Sequence, residues 1–191
     1  METGGADADE TGAGMSEHAR IQAKLAHIGE CMNMRIWIPV ADRRRVLREW
    51  HPSQEGILLE TLPIHYDERT IRIIENIDVI WVRRHAIERA FEVEHTTSIY
   101  SGILRMADLA ALQPNMSIDA HIVAPNSRRS KVLREIGRPA FALMGNRRSL
   151  PDFCSYLSYD AVTRLSNEPN LRYLSSNVIR EYAEYSSDFR F

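Results

Sequence analysis

Asp78, Glu92 and Glu94 are spaced so that a β-hairpin would bring all three carboxylates together. The stretch 76–97 reads Asn-Ile-Asp-Val-Ile-Trp-Val-Arg-Arg-His-Ala-Ile-Glu-Arg-Ala-Phe-Glu-Val-Glu-His-Thr-Thr. Side chains alternate across a strand, so Ile77, Val79 and Trp81 face one way and Asp78, Ile80 and Val82 the other. On the second strand Ile87, Phe91 and Val93 share a face, opposite Ala90, Glu92 and Glu94. A turn centred on His85 places Asp78 across from Glu92, roughly 5 Å apart at Cβ. Uncompensated negative charge is costly on a face that also holds Ile80, Val82 and Ala90. A hard divalent cation with oxygen ligands, including the Val93 carbonyl, would compensate it. Spacing alone leaves a second reading open, in which Glu92 and Glu94 form the solvated face of an amphipathic hairpin and Asp78 lies in a turn.

A second constellation is basic. Between 126 and 150 stand Arg128, Arg129, Lys131, Arg134, Arg138, Arg147 and Arg148 against Glu135 alone, in a chain of net charge −2. Guanidinium groups contact phosphates bidentately, so this segment suits a nucleic-acid edge; a solvated helix face is the plainer alternative. Arg105 could reach a phosphate or pair with Asp108, and the ion pair is the better reading. His18 reads as a surface histidine able to approach the acids. The tail tyrosines, at helical spacing, read as packed side chains rather than base-stacking platforms.

The elements that must position these groups follow from periodicity. Ile21, Leu25 and Ile28 mark one face of a helix from Ser16 to Gly29. Met34 to Val40 reads as a strand ending at Pro39, followed by a charged stretch, 42–49. A short helix at 56–62 and the segment 70–74 lead into the hairpin. Thr97 or Ser98 can cap a helix to Leu112 with Ile99, Ile103, Met106 and Ala110 inward. Pro114-Asn115 turns into a strand, 117–123, and 127–136 looks helical, stopped by Gly137 and Pro139. The tail, 152–185, suggests two helices broken near Glu168-Pro169-Asn170. A strand–helix–strand crossover implies parallel pairing, hence an α/β fold with a mixed sheet flanked by helices.

At 191 residues and 44% hydrophobic content the chain suits one main domain with additions. Residues 1–14, acidic and rich in Gly and Ala, read as a disordered leader, 15–150 as the core, and 151–191 as a helical extension packed on it. No apolar run is long enough to span a membrane and no signal pattern precedes the first helix. Cys31 and Cys154 lack metal-type spacing, which disfavours zinc and a disulfide framework and fits a reducing cytoplasm. Among 24 basic residues only Lys24 and Lys131 are lysines.

The element order, with an acid on the second strand and acid-x-acid ending the third, resembles the PD-(D/E)XK nuclease fold of restriction and repair endonucleases, over roughly 16–136. The stretch Phe-Glu-Val-Glu-His-Thr-Thr-Ser-Ile-Tyr-Ser-Gly-Ile-Leu-Arg-Met-Ala-Asp-Leu (91–109) is similar to a bacterial group of restriction-like proteins. The resemblance implies an α-β-β-β-α-β restriction-endonuclease-like core with a C-terminal helical addition. It implies Asp78 and Glu92 as metal-binding acids, and Glu17 on the first helix as an additional acid. Glu94 stands where the family usually has lysine, as it does in members with Glu-x-Glu. Lys24, seven residues after Glu17 on one helical face, is one source for the missing cation. The implied activity is Mg²⁺- or Mn²⁺-dependent endonucleolytic hydrolysis of DNA, in restriction, phage defence or repair. Asp78, Glu92 and the Val93 carbonyl would bind the metal, Glu94 would orient the attacking water, and Arg105, Arg128, Arg129, Lys131 and Arg134 would contact DNA. A homodimer, or a partner subunit carrying recognition, would complete the assembly. The competing expectation is a catalytically inactive nucleic-acid-binding or protein-interaction module on the same fold.

Overall fold

A computed structural model describes residues 11–94, 99–112, 118–142 and 149–186. Six strands form one mixed sheet in the order β1 (Arg35–Trp37), β2 (Val79–Arg83), β3 (Ala86–Val93), β4 (Asp119–Ala124), β5 (Cys154–Ser158) and β6 (Ala183–Tyr185). The β3–β4 and β4–β5 pairs are parallel and the others antiparallel. The helices are α1 (Thr11–Cys31), α2 (Val40–Val46), α3 (Glu68–Ile74), α4 (Ile99–Leu112), α5 (Arg129–Ile136), α6 (Pro139–Ala142), α7 (Leu150–Phe153), α8 (Tyr159–Ser166) and α9 (Ile179–Tyr182). The α/β class and the mixed sheet flanked by helices are as the sequence suggests.

Each sheet face carries its own core. Ile80, Val82, Ala90, Ala120, Ile122 and Tyr156 pack beneath α4 and α5 on one face. Val79, Trp81, Phe91, Val93, Val123 and Leu157 pack against α1 and α8 on the other. Ile21, Leu25 and Ile28 of α1 are buried, as are Ile99, Ile103 and Met106 of α4. Gly29 lies inside α1 and does not stop it: a Cβ there would stand 2.5 Å from Trp81 Nε1, the group that donates to the Leu25 carbonyl at 3.0 Å.

The hairpin turn is two residues long, with Arg84 in the left-handed region at φ 58°. Continued without irregularity, Arg83 opposite Ala86 would put Asp78 opposite Phe91 and send the acids to different faces. A bulge intervenes: Trp81 pairs with Arg89 but Val82 with Ile87, leaving Glu88 as the extra residue. Val79 therefore pairs with Phe91, and Asp78 falls opposite Glu92. Because of the same bulge Ile87 joins the face of Ala90 and not that of Phe91 and Val93. Ile77, ahead of β2, packs in the cluster of Ile80 and Val82 and not with Val79 and Trp81.

Several elements differ from expectation. Residues 57–59 form no helix but run alongside β1, with Ile36 N–H donating to the Ile57 carbonyl at 2.7 Å and Leu59 N–H to the Ile36 carbonyl at 2.8 Å. The charged stretch after Pro39 begins as helix α2, and α1 starts at Thr11, five residues before Ser16. The tail contributes α8, but alongside it two strands, since β5 and β6 extend the sheet. Residues 1–10 of the acidic leader, the Thr97–Ser98 cap, the Pro114–Asn115 turn, and Arg147 and Arg148 lie outside the described residues.

A buried polar network ties the tail to the sheet. Arg89, 1% exposed, donates to Asp119 at 3.0 Å and Asn177 at 3.3 Å and approaches His121 Nε2 at 3.1 Å. His121 Nδ1 meets Ser155 Oγ at 2.7 Å, and Arg180 donates to Asp119 at 2.8 and 3.1 Å. Burial, and then the Arg89 charge, push the His121 imidazole down to about 3. An unfolded histidine titrates near 6.5. Below that pH the unfolded chain takes up a proton that the folded chain refuses, so stability falls between pH 6.5 and 3, by up to roughly 1.4 kcal/mol per pH unit. Urea melts at pH 7.5, 6, 5 and 4 should show that acid loss in the wild type and a flatter dependence in His121→Gln.

Candidate metal centre at the hairpin end

Asp78 immediately precedes β2, and its Oδ2 accepts the Val93 N–H at 2.7 Å. That bond extends the β2–β3 ladder by a side chain and places the Asp78 carboxylate beside the end of β3. The N–H and C=O of a strand residue point to the same neighbour, so the Val93 carbonyl faces the Asp78 side as well. Glu92, 1% exposed, receives Arg105 of α4 through both oxygens, at 2.7 Å from Nε and 2.6 Å from Nη2. Burial pushes the Glu92 carboxyl up, against the hydrogen bonds and charge of Arg105, which the pair in turn holds more firmly protonated.

Glu94 is fixed by its backbone on both sides. Its N–H donates to the Val123 carbonyl at 2.8 Å, and its carbonyl accepts the Tyr159 hydroxyl at 3.1 Å. Its carboxyl is pushed up to about 7, by burial and then the Asp78 charge, with the Gly102 N–H and Arg105 working the other way. Gly102 explains how α4 comes so close: a Cβ there would stand 2.7 Å from the Glu94 carboxylate and 3.0 Å from Glu92 Cβ. Alanine in a helix ordinarily gains up to about 1 kcal/mol over glycine. Here Gly102→Ala should reverse that sign, costing about 1–3 kcal/mol by overpacking, which a thermal melt reads directly.

The donor set of Asp78, Glu92 and the Val93 carbonyl is all oxygen and largely anionic, the chemistry that Mg²⁺ or Mn²⁺ prefers. Each Glu92 oxygen keeps a further lone pair beyond its bond to Arg105. The residues therefore fit a hard divalent cation.

Other residues singled out from the sequence fall less simply. Glu17 is exposed and its charge acts on Tyr159, while His18, the next residue along the helix, places its Nε2 3.6 Å from Asp78 Oδ1. Burial works against a charged His18, but the neighbouring Asp78 carboxylate and the charges of Asp42 and Glu94 outweigh it and raise the group. Lys24 donates to Thr163 of α8 at 2.8 Å, away from the acids, and Arg105 is the cation that reaches them. Arg105 pairs with Glu92 rather than Asp108. Arg129 makes a bidentate pair with Glu184 of β6, so it is committed to the sheet edge. Arg134 is exposed, Arg128 is half-buried, and Lys131 lies over the Tyr100 ring at 5.7 Å. Sequence reasoning missed Asp42, which carries no local signal, and the roles of Gly102 and Arg105; a glycine inside an otherwise regular helix was the available clue.

The mixed six-stranded sheet and its flanking helices make an α/β domain compatible with a restriction-endonuclease-like fold. The chain belongs to the family described as the Type II restriction enzyme NmeDI C-terminal domain, whose family model matches residues 3–186. Among curated proteins, the Type II restriction enzyme NmeDI of Neisseria meningitidis serogroup C is 30% identical over 171 residues, 86% of this chain and 46% of the relative. The chain thus spans about half the length of that relative. No solved structure matches it. Among the described residues, no helix is long and apolar enough to cross a membrane.

Proposed function

We propose that this chain is a Mg²⁺- or Mn²⁺-dependent endonuclease domain that hydrolyses DNA, acting in restriction within the cytoplasm. The observation that carries the reading is that Asp78, tied to the Val93 N–H by a hydrogen bond, lies beside the strand end that bears Glu92 and Glu94. Its support from relationship is the family membership and the relative described as a restriction enzyme.

Asp78, Glu92 and the Val93 carbonyl would hold the cation. When bound, it supplies Lewis-acid polarisation of the phosphate and a water acidified toward neutral pH. Glu94, anchored through its backbone, orients the attacking water and accepts its proton. Arg105, held by Glu92 and about one-third exposed, directs its remaining N–H groups toward the phosphate as charge develops there. Arg128, Lys131 and Arg134 contact the flanking backbone, and a homodimer or a recognition-bearing partner would present two such sites to the two strands. Supercoiled plasmid, linear duplex, single-stranded DNA and RNA, each with Mg²⁺, Mn²⁺ or EDTA, test the substrate class. Metal-dependent cutting of duplex DNA supports the reading, and inertness on every substrate opposes it.

One observation favours a second reading. Arg105 already neutralises Glu92, as in a site that binds without cutting. Under that reading Arg134→Glu should weaken duplex binding several-fold in a gel-shift titration, and Asp78→Asn should change nothing.

A further inference from the structure

His18 of α1, Asp42 of α2 and Asp78 before β2 each offer one ligand atom, and these atoms all lie within 4.8 Å of one another. All three residues are half-buried. We propose that they form a second divalent cation site, beside the one at the hairpin, selective for a first-row transition ion over Mg²⁺.

The three ligands come from three separate elements and are fixed from behind. Gln22, 1% exposed, lies one turn after His18 on α1. Its amide donates to Asp42 Oδ2 and to the Asp78 carbonyl, each at 3.3 Å. Gln22 therefore ties α2 to the start of β2, holding the Asp42 carboxylate and the Asp78 backbone in place one turn along α1 from the imidazole. Arg45 pairs with Asp42 Oδ1 at the exposed rim. Asp78 divides its two oxygens: Oδ2 is taken by the Val93 N–H, while Oδ1 faces His18.

Ligand chemistry sets the ion. Imidazole nitrogen suits Zn²⁺, Fe²⁺ and Ni²⁺, and the two carboxylates beside it also admit Mn²⁺, whereas Mg²⁺ takes oxygen and gives up its waters reluctantly. Three protein ligands leave coordination positions open for water or a phosphate oxygen. Shared Asp78 would put this ion next to the hairpin cation, where a pair of cations can bear on both the attacking and leaving oxygens. The site shares Asp78 with the nuclease reading but is tested without DNA, so the two can fail separately.

The experiment titrates Mn²⁺ into the full chain, read by calorimetry and by electron spin echo modulation, which detects imidazole ¹⁴N bound to Mn²⁺. Wild type, His18→Gln, Asp42→Asn and Glu92→Gln are compared, each with a melt in EDTA to confirm folding. The proposal expects a ¹⁴N signal in wild type and Glu92→Gln, and its loss in His18→Gln. It also expects Mn²⁺ affinity at least tenfold weaker in both His18→Gln and Asp42→Asn, with Mg²⁺ affinity within about twofold of wild type. Absence of the ¹⁴N signal from folded wild type would overturn it, as would unchanged Mn²⁺ affinity in His18→Gln and Asp42→Asn. Loss of all Mn²⁺ binding in Glu92→Gln alone would also overturn it, leaving the hairpin cation as the sole one.

Discussion

Asp78→Asn should lower Mg²⁺-dependent DNA cleavage by about 10³-fold or more while the protein stays folded. The substitution is nearly isosteric, and the asparagine carbonyl can still accept the Val93 N–H that Asp78 Oδ2 accepts at 2.7 Å. What disappears is one negative charge from a group of three acids, two of which, Glu92 and Glu94, are buried beside it. Cation binding falls because the remaining carboxylate ligand, Glu92, is already shared with Arg105. Folding should be unharmed or slightly improved, since like charges no longer crowd the hairpin end. Single-turnover cleavage beside a thermal melt in EDTA separates the two effects. Asp78→Ala, by contrast, should lose about 1 kcal/mol of stability as well, because it leaves the Val93 N–H without that acceptor.

Arg89→Met should destabilise the fold by about 3 kcal/mol. Arg89 is buried with Asp119, His121 and Asn177 around it, and its Nε has no hydrogen-bond partner among the described residues. Such a side chain is retained only because its partners cannot do without it: removing the cation leaves Asp119 and His121 half-satisfied inside the fold. Arg180, more than half exposed, keeps its two hydrogen bonds to Asp119 and limits the loss. For the same reason Arg180→Ala should cost under about 1 kcal/mol. Urea unfolding of the two variants gives the contrast, and hydrogen exchange should show residues 171–185 loosening first in Arg89→Met.

Alternation of side chains placed Asp78 opposite Glu92 from sequence, which is where the strand register puts it. The register that makes this true depends on the bulge at Glu88, and strict alternation therefore put Ile87 on the wrong face. The strand β5 was illegible for a different reason. Cys154-Ser155-Tyr156-Leu157 is buried on both faces, and a short run of that kind has no period of its own. With Tyr156 and Tyr159 three apart, helical spacing was the natural inference. β6 is three residues at the sheet edge, too short to announce itself. Asp42 joins His18 and Asp78 only because α2 packs back onto α1 and Gln22 bridges them, a tertiary fact with no local signature. The Arg105–Glu92 pair likewise depends on how closely Gly102 lets α4 approach β3.

The central claim is that the hairpin carboxylates form a metal-dependent cleavage centre, and Glu92→Gln tests it most directly. Glutamine keeps the volume and one acceptor for Arg105 while removing the anionic ligand. Wild type and Glu92→Gln should be compared on supercoiled plasmid at saturating protein, in Mg²⁺ and in EDTA. Wild type should cut in Mg²⁺ and not in EDTA, and folded Glu92→Gln should cut in neither. Cutting by Glu92→Gln at the wild-type rate, or cutting by wild type that survives EDTA, would contradict it.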